Sequence, residues 1–119
     1  MHRLITATEL ARSGSARRFE GEPYGAGLSF FLVDSAPGRG PDLHVHEYEG
    51  IFIVEAGNAR FAAGDETLDA GPGDVVVVGA RTPHRFQSSG GENLRMVAIH
   101  HAPAIVTTWL EGDQGAAGR

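Results

Sequence analysis

The stretch Asp42-Leu43-His44-Val45-His46-Glu47-Tyr48-Glu49-Gly50 decides how the rest of the chain is read. Two histidines stand two positions apart, and in an extended strand residues i and i+2 point to the same face. His44 and His46 therefore aim both imidazoles into one space, while Leu43 and Val45 face the other way. Neutral imidazole is the commonest protein ligand for a transition metal. A third histidine, His84, follows about 40 residues later, after another strand-like run, as a fold-back across a barrel requires. The remaining residues are expected to form the scaffold that brings these three rings together.

Outward from that stretch, the chain reads as short strands between turn residues. Leu28 to Asp34 is aromatic and β-branched, apolar on both faces in its middle, and expected to be covered on both sides. Ala36 to Pro41 is a loop by composition. Gly50 to Glu55 follows the histidine strand. Ala59–Ala63 and Thr67–Ala70 form a hairpin around Gly64-Asp65. Val75 to Val78 has the unbroken apolar character of a buried strand. His84 to Ser88 alternates and puts His84, Phe86 and Ser88 on one face. Leu94 to His100 is a further strand, and Ile105 to Leu110 a last apolar segment. Upstream, Thr6-Ala7-Thr8-Glu9 has capping-box spacing and predicts a short helix over Ala7 to Arg12. Ser13 to Gly27 reads as irregular. Strands of this length and spacing indicate an all-β sandwich or barrel, and no helical pattern is long enough for a βαβ crossover. The division is an N-terminal arm over 1–27, a β-barrel over 28–110 and a tail over 111–119.

The totals exclude several classes. The 119 residues make one domain, able to hold a core without staples. The chain has no cysteine, which removes disulfides, thiolate metal sites and thiol nucleophiles and agrees with a reducing compartment. No apolar run suits a signal peptide or reaches the ~18 residues of a membrane helix, so a cytoplasmic location and no membrane partner are expected. Net charge is −5 with acids and arginines interspersed. No basic stripe for nucleic acid is seen. All ten basic residues are arginine, which with abundant Ala, Gly and Val suggests a GC-rich bacterial genome. There is no Gly-x-Ser-x-Gly and no phosphate-cradling glycine loop ahead of a helix.

The sequence resembles a small single-domain cupin. The first motif of that family runs Gly, five residues, His-x-His, three or four residues, Glu, six residues, Gly; Gly38, His44, His46 and Gly57 match it. The second runs Gly, five residues, Pro-x-Gly, two residues, His, three residues, Asn; Gly73 and His84 match it. Both motifs in order, spread over about Leu28 to Leu110, imply a cupin-type double-stranded β-helix, or jelly-roll barrel. The resemblance also marks two departures. The motif glutamate falls on Gly50, and its neighbour Glu49 reaches the inner face only if a bulge re-aims it. The Pro-x-Gly is Gly79-Ala80-Arg81, and the closing asparagine is Ser88.

These residues allow a divalent transition metal, Fe, Mn, Ni, Cu or Zn, held by His44, His46 and His84, with Glu49 as a candidate fourth ligand. Three neutral ligands leave the ion its full 2+ charge and open positions, which favours an anionic chelating substrate. The resemblance extends to cupin-type dioxygenases that use three histidines without a carboxylate. Phe52, Val54, Phe86 and Met96 line an apolar pocket or fill ordinary barrel core. Tyr48 donates a phenol to a ligand or lies on a surface loop. Arg81 is the arginine best placed to clamp a carboxylate. His100 and His101 are adjacent, so only one faces inward; His100 shares parity with Met96 and Ala98, and either histidine hydrogen-bonds behind the ligands or walls the pocket, or, as a strand-end place favours, stands in solvent. A metal-dependent enzyme on a small organic molecule, oxygenating ahead of isomerising or cyclising, stands beside a non-catalytic binding or sensing module. A homodimer is expected, with Leu28 to Val33 and the Trp109 segment as contacts.

Overall fold

Alternation along each strand decides which side chains enter the barrel. The computed structural model describes residues 2–111. Eleven strands are present among them: β1 Ala11–Ser13, β2 Ala16–Phe19, β3 Ser29–Ser35, β4 His44–Val45, β5 Gly50–Ala56, β6 Ala59–Ala63, β7 Glu66–Ala70, β8 Val75–Val78, β9 His84–Ser88, β10 Leu94–His100 and β11 Thr108–Trp109. They form a six-stranded sheet in the order β1-β2-β3-β10-β5-β8 and a five-stranded sheet in the order β11-β4-β9-β6-β7. All pairings are antiparallel. This is the all-β jelly roll expected of the sequence. The core between the sheets takes Phe52 and Val54 from β5, Met96 and Ala98 from β10, Phe61 from β6 and Phe86 from β9.

Three local expectations are corrected. The N-terminal helix is a single 3-10 turn, Ala7–Glu9. The Thr6 amide does donate to Glu9 Oε1 at 3.2 Å, but Ala11 already begins a strand. Part of the segment read as irregular is strand: β2 pairs with β1 from Ser13↔Ala16 to Ala11↔Arg18 and with β3 from Ala16↔Val33 to Phe19↔Phe30. Thirdly, Val75 to Val78 is not covered on both faces. Val76 and Val78 are buried, while Val75 and Val77 are 56% and 64% exposed. On β3, likewise, Leu32 is 39% exposed. Among the described residues no further layer covers the outside of the six-stranded sheet at Leu32, Val75 and Val77.

Candidate metal centre

Register brings the histidines together. His44 on β4 pairs directly across from His84 on β9, and cross-strand partners share a face. His46 follows β4 with the same parity. All three are buried, and ring centroids lie 4.4 Å apart for His44 and His84, 5.1 Å for His44 and His46, and 5.6 Å for His46 and His84. Each residue offers one nitrogen, and these atoms lie within 4.8 Å of one another.

Backbone carbonyls settle which nitrogen each ring offers. His44 Nδ1 donates to the Asp42 carbonyl at 2.7 Å, His46 Nδ1 to that of Val106 at 2.7 Å, and His84 Nδ1 to that of Thr82 at 2.8 Å. A carbonyl oxygen only accepts, so each neutral ring carries its proton on Nδ1 and keeps a lone pair on Nε2. Burial pushes the His44 pKa down to about 4, and the neighbouring rings add to the shift. Burial also lowers His46 and His84. Three neutral, orientation-locked imidazoles are the donor set that a divalent transition metal requires.

Other segments hold this set in place. β11 closes the edge of β4, with Trp109 opposite His44 and its ring 5.0 Å from that imidazole. Trp109 thus packs on its own chain. The β8–β9 loop is tied down by the Arg81 amide, which donates to the His46 carbonyl at 2.8 Å. Arg81 adopts φ 59°, a left-handed conformation that costs a non-glycine residue roughly 1 kcal/mol. Its side chain is exposed, and its link to the site runs through the backbone amide. The loop carrying Val106 is anchored by Glu20, whose Oε2 accepts from the Ile105 amide at 2.7 Å.

The other sequence candidates divide. Glu49 does not join the histidines: its carboxylate accepts from His101 Nδ1 at 3.0 Å, and its side chain is 44% exposed. Phe52, Val54, Phe86 and Met96 are buried inside the barrel as core. Phe52 alone among them has a ring contact with the cluster, 6.1 Å from His84, and it packs on Phe61 and Phe86 behind. A Cβ on Gly50 would lie 3.0 Å from the Phe52 ring. Aromatic side chains therefore fill the space beneath the histidines. A surface groove of about 540 Å³ lies elsewhere, lined in part by Asn58, Arg60, Asp69 and Gln87, and contains none of these histidines.

The solvated strand-end place expected for His100 is corrected. This residue is 4% exposed, and its ring centroid lies 4.6 Å from that of His46. Its shared parity with Met96 and Ala98 was the available signal. Burial first, then the other three histidines, push its pKa down to about 3. The half-buried Tyr48 hydroxyl lies 3.0 Å from His100 Nδ1 and 3.2 Å from His46 Nδ1. Burial raises the phenol's pKa, which keeps it protonated.

Solved structures share this architecture at low sequence identity. Oxalate decarboxylase from Bacillus subtilis at pH 4.6 aligns with a TM-score of 0.77 and 21% identity, covering 89% of this chain and 31% of that one. That enzyme contains Mn(II) centres. The formate complex of Lactobacillus farciminis oxalate decarboxylase gives 0.76 and 21%, covering 87% and 34%. A protein with a double-stranded β-helix domain from Klebsiella pneumoniae gives 0.71 and 19%, covering 94% and 100%. The chain spans about a third of the length of the two decarboxylases, and the likeness at this identity is one of fold. No curated protein matches the chain. The cupin domain family matches residues 31–100, which include all four buried histidines, and the chain belongs to that family.

Proposed function

We propose that the chain binds one divalent transition metal through His44, His46 and His84 and acts as a metal-dependent enzyme on a small anionic organic molecule, with oxygenation as its reaction class. The observation that carries this reading is the engagement of all three Nδ1 atoms by carbonyls, which leaves three Nε2 lone pairs for one ion. A metal held there supplies Lewis acidity and open coordination positions. Gly50, at the place of the family motif's glutamate, leaves the protein ligand set neutral and the ion's charge uncompensated, which favours an anionic partner. Manganese in the decarboxylase neighbour supports a first-row divalent ion. The chain's own residues bury the donors and fix their tautomers. They also fill the space below with Phe52, Phe61 and Phe86, so the substrate is small. That same filling favours, as a second reading, a non-catalytic binding module for a small anion. The lack of cysteine supports a cytoplasmic location.

Elemental analysis of protein loaded anaerobically with Fe(II), Mn(II) or Zn(II) tests the site. One ion per chain is expected, with stoichiometric binding lost in His84→Ala; full retention in that variant removes His84 from the centre. Oxygen uptake by the Fe(II) form with diketones, thiols and catechols tests the reaction class. Ligand binding with no turnover across the panel leaves the binding module standing.

A second copy of the chain is the proposed macromolecular partner. Phe30, Leu32, Val97, Ile99, Ile51, Ile53, Val75 and Val77 are cross-strand neighbours on the outer face of the six-stranded sheet, and an apolar face of this extent is the expected signature of association.

A further inference from the structure

The ring cluster contains one pair that metal binding leaves unused. The Tyr48 oxygen has three polar neighbours: the Val106 amide at 3.3 Å, His46 Nδ1 at 3.2 Å and His100 Nδ1 at 3.0 Å. The amide can only donate. His46 Nδ1 carries the proton that it gives to the Val106 carbonyl, so it cannot accept either. His100 Nδ1 is the one acceptor left for the phenol's proton. His100 therefore holds its own proton on Nε2. That N–H has no protein acceptor among the described residues, yet it is not sealed off, because no fully buried polar side-chain atom among them lacks a partner.

The surroundings leave this donor free for a ligand. His100 is in register with Gly50 on β5; the room a side chain would take there is met by the Phe52 ring, which is apolar and accepts no hydrogen bond. The nearby carboxylates are committed elsewhere, Glu49 to His101 and Glu20 to the Ile105 amide. We propose that His100 orients the bound ligand: fixed by Tyr48 as its Nε2–H tautomer, it donates to an oxygen of a small carboxylate or enolate held at His44, His46 and His84. This rests on the metal-dependent reading above and names what that site recognises.

The test uses the full chain loaded with Co(II), with cobalt content measured by elemental analysis. Acetate binding is followed by the visible absorption of the Co(II) ion. Wild type, His100→Phe, His100→Gln and Tyr48→Phe are all expected to keep one cobalt per chain. Acetate affinity should fall about tenfold in His100→Phe, the effect of one lost hydrogen bond to a charged group. His100→Gln, which retains an N–H donor, should recover part of it, and Tyr48→Phe should show a smaller loss. Unchanged acetate affinity in His100→Phe overturns the proposal while leaving the metal site intact. Loss of cobalt from both His100 variants also overturns it, since His100 would then be a ligand. If His100→Phe does not fold, unchanged affinity in Tyr48→Phe overturns the tautomer argument. A wild-type chain that takes up no cobalt removes the metal reading and this proposal together.

Discussion

At the scale of single residues, the decisive fact is that four imidazoles are buried uncharged. In the unfolded chain each would titrate near 6.5. In the fold, His44 is pushed down to about 4 and His100 to about 3, and His46 and His84 are lowered too. Between those limits the unfolded state binds protons that the native state refuses, so stability rises with pH. The metal-free protein should therefore hold its stability above about pH 6.5 and lose it as the pH falls toward 4. His44 alone accounts for about 3 kcal/mol across that window, a large share of the roughly 5–15 kcal/mol of an ordinary domain. Urea midpoints measured from pH 8 to pH 4 on chelator-treated protein check this. A flat profile would mean that the rings are hydrated or charged in the native state.

At the scale of elements, the site depends on segments that carry no ligand. Glu20, just beyond β2, accepts from the Ile105 amide and pairs with Arg18 at 3.3 Å. The next residue, Val106, supplies the carbonyl that orients His46. Glu20→Ala should release that loop, costing about 1 kcal/mol in stability and about tenfold in Zn(II) affinity, as outer-shell changes do. Competition with a chromophoric chelator measures the affinity, and unchanged binding would show that the loop holds without its anchor. This linkage was invisible in the sequence. His44, His46 and His84 were legible because a period of two fixes their faces and a direct cross-strand pair closes the set. The carbonyls of Asp42, Thr82 and Val106 belong to the backbone and leave no mark in residue type. β2 was missed because Ala16-Arg17-Arg18-Phe19 has no apolar alternation; it is a strand because β3 offers it an edge. His100 was legible by parity but judged by its place at a strand end, where Phe31 of β3, His46 and Tyr48 pack around its ring.

At the scale of the whole molecule, the outer face of the six-stranded sheet remains to be accounted for. Two apolar rows cross it, Leu32–Val97–Ile53–Val75 and Phe30–Ile99–Ile51–Val77. Arg95 and Asp34 face each other beyond one end, and the Glu49–His101 pair follows β10 at the other. An apolar centre with a polar rim is the layout of a protein interface, and a face of this kind meets its own copy by a two-fold rotation without leaving an open, fibre-forming surface. Val75 and Val77 are the most exposed of the eight; a charge there would be solvated in a single chain and trapped in a pair. Val77→Glu should therefore leave the thermal transition of the isolated fold within a few degrees, since surface changes usually cost under about 0.5 kcal/mol. It should convert the protein to a monomer. Light scattering on a size-exclusion column reads this directly: wild type near twice the 12.6 kDa of one chain, Val77→Glu at one chain mass. Wild type eluting at a single chain mass at high micromolar concentration would leave the face without its proposed partner, whereas the metal-site predictions, which use only residues of one chain, would be unaffected.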